Sequence, residues 1–402
     1  LLADDPETAG SVLNRFYENK STEHPEVIWR AEWNYLHYLR KNGQIEKARK
    51  RVKRVLDDRA NEIPSALRLR MLWLKAKLSA STEDAFKVPA ISDGILGILQ
   101  GFTDQDLSPE QKSIIASNTL FLKGNVLLRL DRTEEALSEF ERLRENFSGT
   151  SPHLRSVLAL ARYRASKGNL VKAQQQLINL ADDYPETPYA PIALYDASMM
   201  ADQQGLQRTY EEAVSILQRL LEEYPEHPLT FHAALKQGHL LRKLNLFADA
   251  RSRYEDLLKT HPDHDQRYLV EMALAYTRLE NPERISQAMV EFERLFDLPH
   301  IPQPLRLEAG FQWAFSVAEQ GDKSRAIEIY WGILTQYIID PKDDLVLPTG
   351  ARYWLARSAF ELASLLEQEE KIKEALTIYE LILEAQLPGK AVAEKRLNSL
   401  KG

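Results

Sequence analysis

The sequence has no cysteine among its 402 residues. This absence excludes disulfide bonds, cysteine-ligated zinc sites and thiol catalysis, and it leaves the cellular compartment open. Long apolar runs are lacking too. No stretch approaches the ~18 apolar residues that a transmembrane helix needs, so we expect no membrane-spanning segment. Stretches with the alternating pattern of a β-strand are scarce, which argues against an α/β catalytic scaffold.

Motifs that commonly indicate catalysis are also missing. The sequence contains no glycine-rich phosphate loop ending in Lys-Ser/Thr and no dinucleotide-binding fingerprint. It contains neither His-Glu-x-x-His nor Gly-x-Ser-x-Gly. We therefore predict no enzyme activity, no catalytic residue and no cofactor.

The segment His261-Pro262-Asp263-His264-Asp265 is the one place that resembles a metal site. Two imidazoles and two carboxylates are able to hold a divalent cation. The alternative is a turn between repeats, with the two aspartates starting the next helix. Because a short exposed loop lacks supporting groups behind its ligands, we expect the turn and no metal.

Charge is mildly acidic, with a formal net charge of −7 at pH 7. This balance provides no general attraction for nucleic acid, and we expect none as a partner. Hydrophobic residues make up 44% and charged residues 28%, a composition typical of a folded chain. The abundant residues, such as Ala, Leu, Glu and Lys, favour helices.

What the sequence does contain is a pattern that repeats at helical spacing. An alanine is followed by an apolar or aromatic residue four positions later and by an apolar residue seven positions later, so all three share one helix face. From Ala136 to Ala326 the spacing between successive alanines is 37–40 residues, in the range of helical solenoid repeats. These anchor alanines are Ala48, Ala136, Ala173, Ala213, Ala250, Ala288, Ala326 and Ala375.

We predict an all-α fold, a right-handed α-solenoid of about nine helix pairs. A gap of 88 residues between Ala48 and Ala136 leaves room for one divergent pair. Because the chain opens on Leu1 in what resembles the tail of a repeat, we expect it to be trimmed from a longer protein. The predicted divisions of a single domain over 1–402 are an incomplete repeat at 1–30, a divergent repeat at 61–113 and a capping helix at 388–402.

One copy of the repeat is especially complete. Within Leu235–Pro262, a small Gly238 precedes the anchor Ala250 by twelve positions, Tyr254 follows it by four, and Pro262 ends the unit. This pattern resembles the tetratricopeptide repeat (TPR). The resemblance implies a binding scaffold, with the first helix of each pair lining a concave groove for a protein or peptide.

A finer resemblance comes from two departures from the common TPR pattern. Many TPRs have alanine seven residues after the anchor, and here that residue is Leu, Val or Ile. Repeats end in segments such as Asp-Tyr-Pro-Glu-Thr-Pro-Tyr-Ala-Pro at residues 183–191. This is similar to the TPRs of bacterial envelope proteins, namely the periplasmic coordinator of the Tol–Pal system and the barrel-assembly lipoproteins. It implies an envelope complex in the periplasm or cell envelope.

Two alternatives remain open. The chain could be a regulatory or sensory TPR domain of a larger cytoplasmic protein whose effector domain lies outside this sequence. It could also be an enzyme with a site in residues 61–113, although that stretch offers carboxylates and no histidine. The carboxylate clamp of chaperone-binding TPRs is not supported, because Phe121 and Ala159 stand where a Lys and an Arg are needed. The oligomeric state stays undetermined.

Candidate ligand contacts follow from counting back from the anchor alanines. The resulting wall in the middle of the chain is basic although the chain is acidic, which favours an acidic or C-terminal-carboxylate partner segment. Ordinary solvated surface is the alternative. Phe311 and Phe315 form a second, aromatic candidate, with core packing as its alternative. The predicted peptide-binding residues are Asn118, Asn125, Arg155, Arg162, His232, Lys236, His239, Arg242, Lys243, Phe311 and Phe315.

Overall fold

The computed structural model describes residues 6–18, 25–103, 107–341 and 346–401. These parts of the chain form helices joined by short connections, and no strand occurs among them. The predicted all-α solenoid is confirmed. No helix in the described ranges is long and apolar enough to cross a membrane. The chain divides into two compact units, Leu1–Gln203 and Gln204–Gly402, and the prediction of one continuous domain stays a prediction.

The described residues of the first unit form ten α-helices, with a short 3-10 turn before the fifth. They are α1 (Pro6–Glu18), α2 (Pro25–Lys41), α3 (Ile45–Arg59), α4 (Ser65–Ala80), α5 (Val88–Gln100), α6 (Pro109–Arg129), α7 (Thr133–Asn146), α8 (Ser151–Ser166), α9 (Leu170–Asp183) and α10 (Tyr189–Gln203).

Ten further α-helices lie in the described part of the second unit. They are α11 (Gln207–Glu223), α12 (Thr230–Lys243), α13 (Phe247–Thr260), α14 (Arg267–Leu279), α15 (Ile285–Asp297), α16 (Gln303–Glu319), α17 (Lys323–Leu334), α18 (Thr349–Gln368), α19 (Ile372–Glu384) and α20 (Lys390–Lys401).

Within each unit, contacts between alternate helices build a layer. In the first unit α2 contacts α4, α4 contacts α6, α6 contacts α8, and α8 contacts α10; in the second, α12 contacts α14 and α16 contacts α18. These even-numbered helices are the first helices of the pairs, and we call their layer the first-helix wall of the unit. Across the described ranges, odd-numbered helices make no comparably extensive contacts with each other. The first-helix wall is therefore the more closely spaced side, as expected for the inner side of a curved stack.

In two of the helix pairs, an aromatic ring of the second helix packs directly against a glycine of the first. Tyr254 on α13 is fully buried, and a Cβ added at Gly238 on α12 would overlap its ring. The same relation joins Phe140 on α7 to Gly124 on α6. Glycine has no side chain, so the ring lies directly against the first helix and the two helices approach closely. Each anchor alanine is fully buried at the same crossings.

The divergent pair has its own anchor, which the search for alanine missed. Ser92 on α5 is fully buried and is followed by Leu96 and Leu99, four and seven positions later. It lies 44 residues after Ala48 and 44 before Ala136. A search that accepted any small residue at the anchor would have found this repeat.

Tyr254 tests the register of the repeat. We expect Tyr254→Ala to lower the free energy of unfolding by about 3–5 kcal/mol, because a fully buried aromatic ring is lost. Tyr254→Phe should cost about 0.5–1.5 kcal/mol, because it removes only the hydroxyl that lies 3.0 Å from His239 Nδ1. Urea unfolding followed by circular dichroism measures both values. A loss below about 1 kcal/mol for the alanine variant would show that the register is wrong.

Two glycines of the second unit form a matched test of the close helix approach. We expect Gly238→Ala to destabilise the protein by about 1–3 kcal/mol, because the new methyl group overlaps the Tyr254 ring. Gly332→Ala should stabilise by about 0.5–1 kcal/mol, because Gly332 is helical and nothing lies within 4 Å of its added Cβ. Thermal and urea unfolding of both variants give the comparison. Equal stabilisation by the two changes would contradict the packing described.

Candidate functional site

Three adjacent helices of the first-helix wall of the first unit, α4, α6 and α8, are rich in cations and nearly free of acids. The flanking helices of the wall are less basic, with Glu26 and Glu32 on α2 and Asp196 and Asp202 on α10. Helices α4 and α8 contain no Asp or Glu, and α6 contains one, Glu110 in its first turn. Because α6 packs against both α4 and α8, the three helices form one continuous basic surface. Its cations are Arg68, Arg70, Lys75 and Lys77 on α4, Lys112, Lys123 and Arg129 on α6, and Arg155, Arg162 and Arg164 on α8.

Several of these cations are already neutralised inside the protein. Lys123 lies between Asp93 and Glu139, with Nζ–O distances of 2.6 and 2.7 Å. Arg162 lies 2.7 Å from Asp196 of α10. Such contacts fix side chains that support the helix packing, so these two cations have less charge to offer a ligand.

Others have no acidic partner. Among the described residues, Arg70, Lys77 and Arg155 form no ion pair, and the Arg155 guanidinium lies 4.3 Å above the Phe121 ring. Partial burial, and then the charges of Arg40 and Arg155, lower the pKa of Lys77. A cation crowded by other cations gains more from an incoming carboxylate than an isolated surface lysine does. An anion that binds Lys77 is therefore attracted by Arg40 and Arg155 as well.

The predicted contacts of the first unit lie on this wall. Asn118 and Asn125 are half-buried on α6, and the Asn118 amide donates to the Ile114 carbonyl at 2.8 Å. Arg155 and Arg162 are exposed on α8. Counting back from the anchor alanines identified candidate contacts on α6 and α8. It missed Arg70 and Lys77 of α4, because the divergent pair to which α4 belongs has no anchor alanine.

The predicted contacts of the second unit lie mainly against aromatic rings. The Arg242 guanidinium is 5.4 Å from the Tyr276 ring centroid, and the Lys243 ammonium is 4.9 Å from that of Tyr210. Tyr276 donates a hydrogen bond of 2.6 Å to Glu308, whose pKa is raised by burial. A carboxyl group is thus built into this wall, which makes it less uniformly basic than the wall of the first unit.

Three further predicted residues lie on α12. Lys236 and His239 are half-buried. His239 Nδ1 shares a hydrogen bond with the Tyr254 hydroxyl, which ties the imidazole to the helix crossing. His232 lies beside the connection between α13 and α14, where its ring centroid is 6.1 Å from that of His264.

Residues 107–277 match a family model described as a tetratricopeptide repeat-like domain. This part of the chain is a TPR-like domain. It includes α6 and α8 of the basic wall and α12 of the second unit. No curated protein matches the sequence.

Solved structures with a similar fold include several TPR proteins. A tetratricopeptide repeat protein from Parabacteroides merdae is 14% identical over 71% of this chain and 99% of its own, with a TM-score of 0.43. YrrB, described as a TPR protein with an unusual peptide-binding site, is 17% identical over 56% and 98%, with a TM-score of 0.33. Human IFIT1, solved as a dimer with m7Gppp-AAAA, is 14% identical over 99% and 96%, with a TM-score of 0.41. With TM-scores below 0.5, these likenesses support no conclusion about this chain.

The aromatic candidate site on α16 is largely core. Phe311 is 1% exposed and packs against Trp354, with ring centroids 5.3 Å apart. Arg357 covers it, 4.4 Å from the ring centroid. Phe311 is therefore a core residue, which was the alternative to its prediction as a groove contact. Phe315 is 36% exposed and stacks on Phe311 at 5.8 Å, so it alone of the pair presents a ring to solvent.

The histidine-rich segment forms a turn between two TPR units. His264 stacks on Phe231, with ring centroids 3.5 Å apart. The expectation that aspartates start the next helix is wrong, because α14 begins at Arg267 after Gln266. In the ranges that the structure describes, no group of three or more His, Asp or Glu is placed to hold a metal ion.

Three of the carboxylates considered for an enzyme site in residues 61–113 lie in separate ion pairs. Lys87, and then Arg49, hold the pKa of Asp84 below its usual range, the opposite of what a general acid needs. Asp104 and Asp106 lie outside the described residues. The pairs are Glu62 with Arg59, Asp84 with Arg49 and Lys87, and Asp93 with Lys123.

The histidine turn should respond to pH. Burial, and then the charges of His232 and His261, lower the pKa of His264, against a smaller opposing effect of Asp265. The folded state therefore binds this proton less tightly than the unfolded chain. The contribution of neutral His264 to the free energy of unfolding is complete above the pKa of histidine in the unfolded chain, about 6.5. It is lost as the pH falls through the lower pKa that His264 has in the folded state.

We expect the parent to lose more stability than His264→Gln between about pH 7.5 and 5.5. Urea unfolding at both pH values gives the change in the free energy of unfolding for each protein. Any effect of the substitution that does not depend on pH cancels in this comparison. His300→Gln, at an exposed site on the connection between α15 and α16, is the control and should behave like the parent. The same pH dependence in all three proteins would contradict this role for His264.

Proposed function

We propose that this chain is a non-catalytic protein-interaction scaffold that binds an acidic or C-terminal-carboxylate segment of a partner protein on the first-helix wall of its first unit. The observation that carries the proposal is the absence of Asp and Glu from α4 and α8, in a chain whose net charge is −7. Solvation alone does not require cations and acids to be separated in this way. A wall of one charge attracts a segment of the opposite charge.

The charge pattern of α7, the second helix paired with α6, supports the same assignment. Helix α7 carries Glu134, Glu135, Glu139, Glu141 and Glu145. Acids are therefore present in the same repeat and are concentrated on its second helix, with Glu139 reaching across to Lys123 of the wall. An acidic segment is then directed toward the first helices and repelled from α7.

We further propose that the partner belongs to a bacterial envelope complex. The support is the sequence of the connections between repeats, such as residues 183–191, which resembles the envelope TPRs. The alternative, a regulatory domain of a larger cytoplasmic protein, predicts a different location. Separation of source cells into periplasm, membrane and cytoplasm tests this step. Recovery of the native protein in the cytoplasm alone would contradict the envelope assignment and leave the scaffold proposal standing.

Charge reversal on the wall tests the binding proposal. The probe is a fluorescein-labelled octaglutamate peptide with a free C-terminus, titrated at low salt and followed by fluorescence anisotropy. We expect Arg70→Glu with Arg155→Glu to weaken binding at least tenfold, because both cations lack an internal acid. Arg162 is avoided because it already pairs with Asp196. Binding by the parent should also weaken as salt is raised, because the wall is solvent-accessible.

The matched control is Lys47→Glu with Lys53→Glu on α3. These lysines are exposed on a second helix, and the double change alters net charge by the same amount. We expect this variant to retain most of the binding. Equal losses in both double variants would show a general charge effect and would contradict a specific role for the wall.

A further inference from the structure

A cavity of about 270 Å³ opens on the first-helix wall between α4 and α6. Its apolar lining is Leu69, Trp73, Ile114 and Ile115. Its polar lining is Arg70, Lys77 and Asn118, with no carboxylate.

The size of the cavity limits what it can hold. A dry apolar cavity of about 150 Å³ in a protein core is large enough to bind benzene. Pockets for drug-sized molecules begin at about 300 Å³. The cavity therefore fits one large side chain, such as Phe or Leu, and is too small for a helix or a cofactor.

The lining is apolar surface that the protein itself leaves open. Ile114 is 54% exposed, although most large aliphatic side chains of this fold are buried. Trp73 is only half-buried, and the Lys77 ammonium lies 5.6 Å from its ring centroid. An apolar surface with a cation at its edge suits a ligand that combines an apolar group with a negative charge.

We propose that this cavity binds one large apolar side chain of the acidic partner segment, with a neighbouring carboxylate of that segment held by Lys77. The inference rests on the proposed function and adds a sequence preference to it. An extended chain advances about 3.3–3.6 Å per residue. The short distance between Lys77 and Trp73 then places the carboxylate one or two residues from the apolar side chain.

The surrounding charges favour this ligand over a neutral one. Arg40 from α2 and Arg155 from α8 lie close enough to Lys77 to lower its pKa, and Arg40 Nε is buried without a hydrogen-bond partner. A carboxylate at Lys77 relieves the repulsion among these cations. A neutral apolar peptide fills the cavity and leaves that repulsion in place, so it binds more weakly.

The test uses two fluorescein-labelled peptides, Glu-Glu-Glu-Phe-Glu-Glu-Glu and the same peptide with Ala in place of Phe. We expect the parent to bind the Phe peptide about 10- to 100-fold more tightly, since a buried aromatic side chain contributes on that scale. Trp73→Ala and Ile114→Ser should each reduce this ratio to about threefold or less. Ile114→Ser changes an exposed side chain, so it tests the cavity even if Trp73→Ala perturbs packing.

The outcomes separate the two proposals. If neither peptide binds at low salt, the proposed function fails, and this inference fails with it. If both bind equally and salt weakens both, the wall binds acidic segments but the cavity takes no side chain. A Phe preference that persists in both variants places the apolar contact elsewhere. If the parent self-associates in sedimentation and Ile114→Ser abolishes this, a second copy of the chain covers the cavity and the inference is wrong.

Discussion

The structure depends on a close contact between two helices, made possible by the absence of a side chain. Where Gly238 faces Tyr254, and where Gly124 faces Phe140, the ring of the second helix lies against the backbone of the first. In these two pairs the contact turns one flank of the first helix toward its own partner. The remaining flank packs along the stack or faces solvent, and it becomes the first-helix wall. The surface to which we assign ligand binding therefore follows from helix pairing, and the proposal needs no loop or inserted domain.

Charge is distributed around this arrangement. In the middle of the first unit, acids are concentrated on α7 and are absent from α4 and α8. Some of them reach across to wall cations, as Glu139 does to Lys123. Those ion pairs cost desolvation and fix geometry, and they contribute little affinity for a ligand. The cations left over around Lys77 are the ones able to gain from an external carboxylate.

The repeat spacing predicted most of the fold, because the three anchor positions share a helix face and are buried whatever lies around them. Ser92 was missed because a buried serine replaced alanine at the anchor. That omission also hid α4, and with it Lys77, Trp73 and the cavity. Arg162 pairs with Asp196, which is 34 residues away on another helix. The spacing of residues within one helix cannot predict such a contact. The burial of Phe311 depends likewise on Trp354 and Arg357 of α18.

Zero-length crosslinking tests the central claim, that acidic segments bind the first helices. A carbodiimide joins a carboxylate of bound hexaglutamate to a lysine in direct contact, and mass spectrometry then identifies the lysine. We expect a crosslink at Lys77 of α4 that is lost at high salt, and little at Lys172 of α9 or Lys53 of α3. Dominant crosslinks at Lys172 or Lys53 would place the bound segment on the second helices and contradict binding by the first helices.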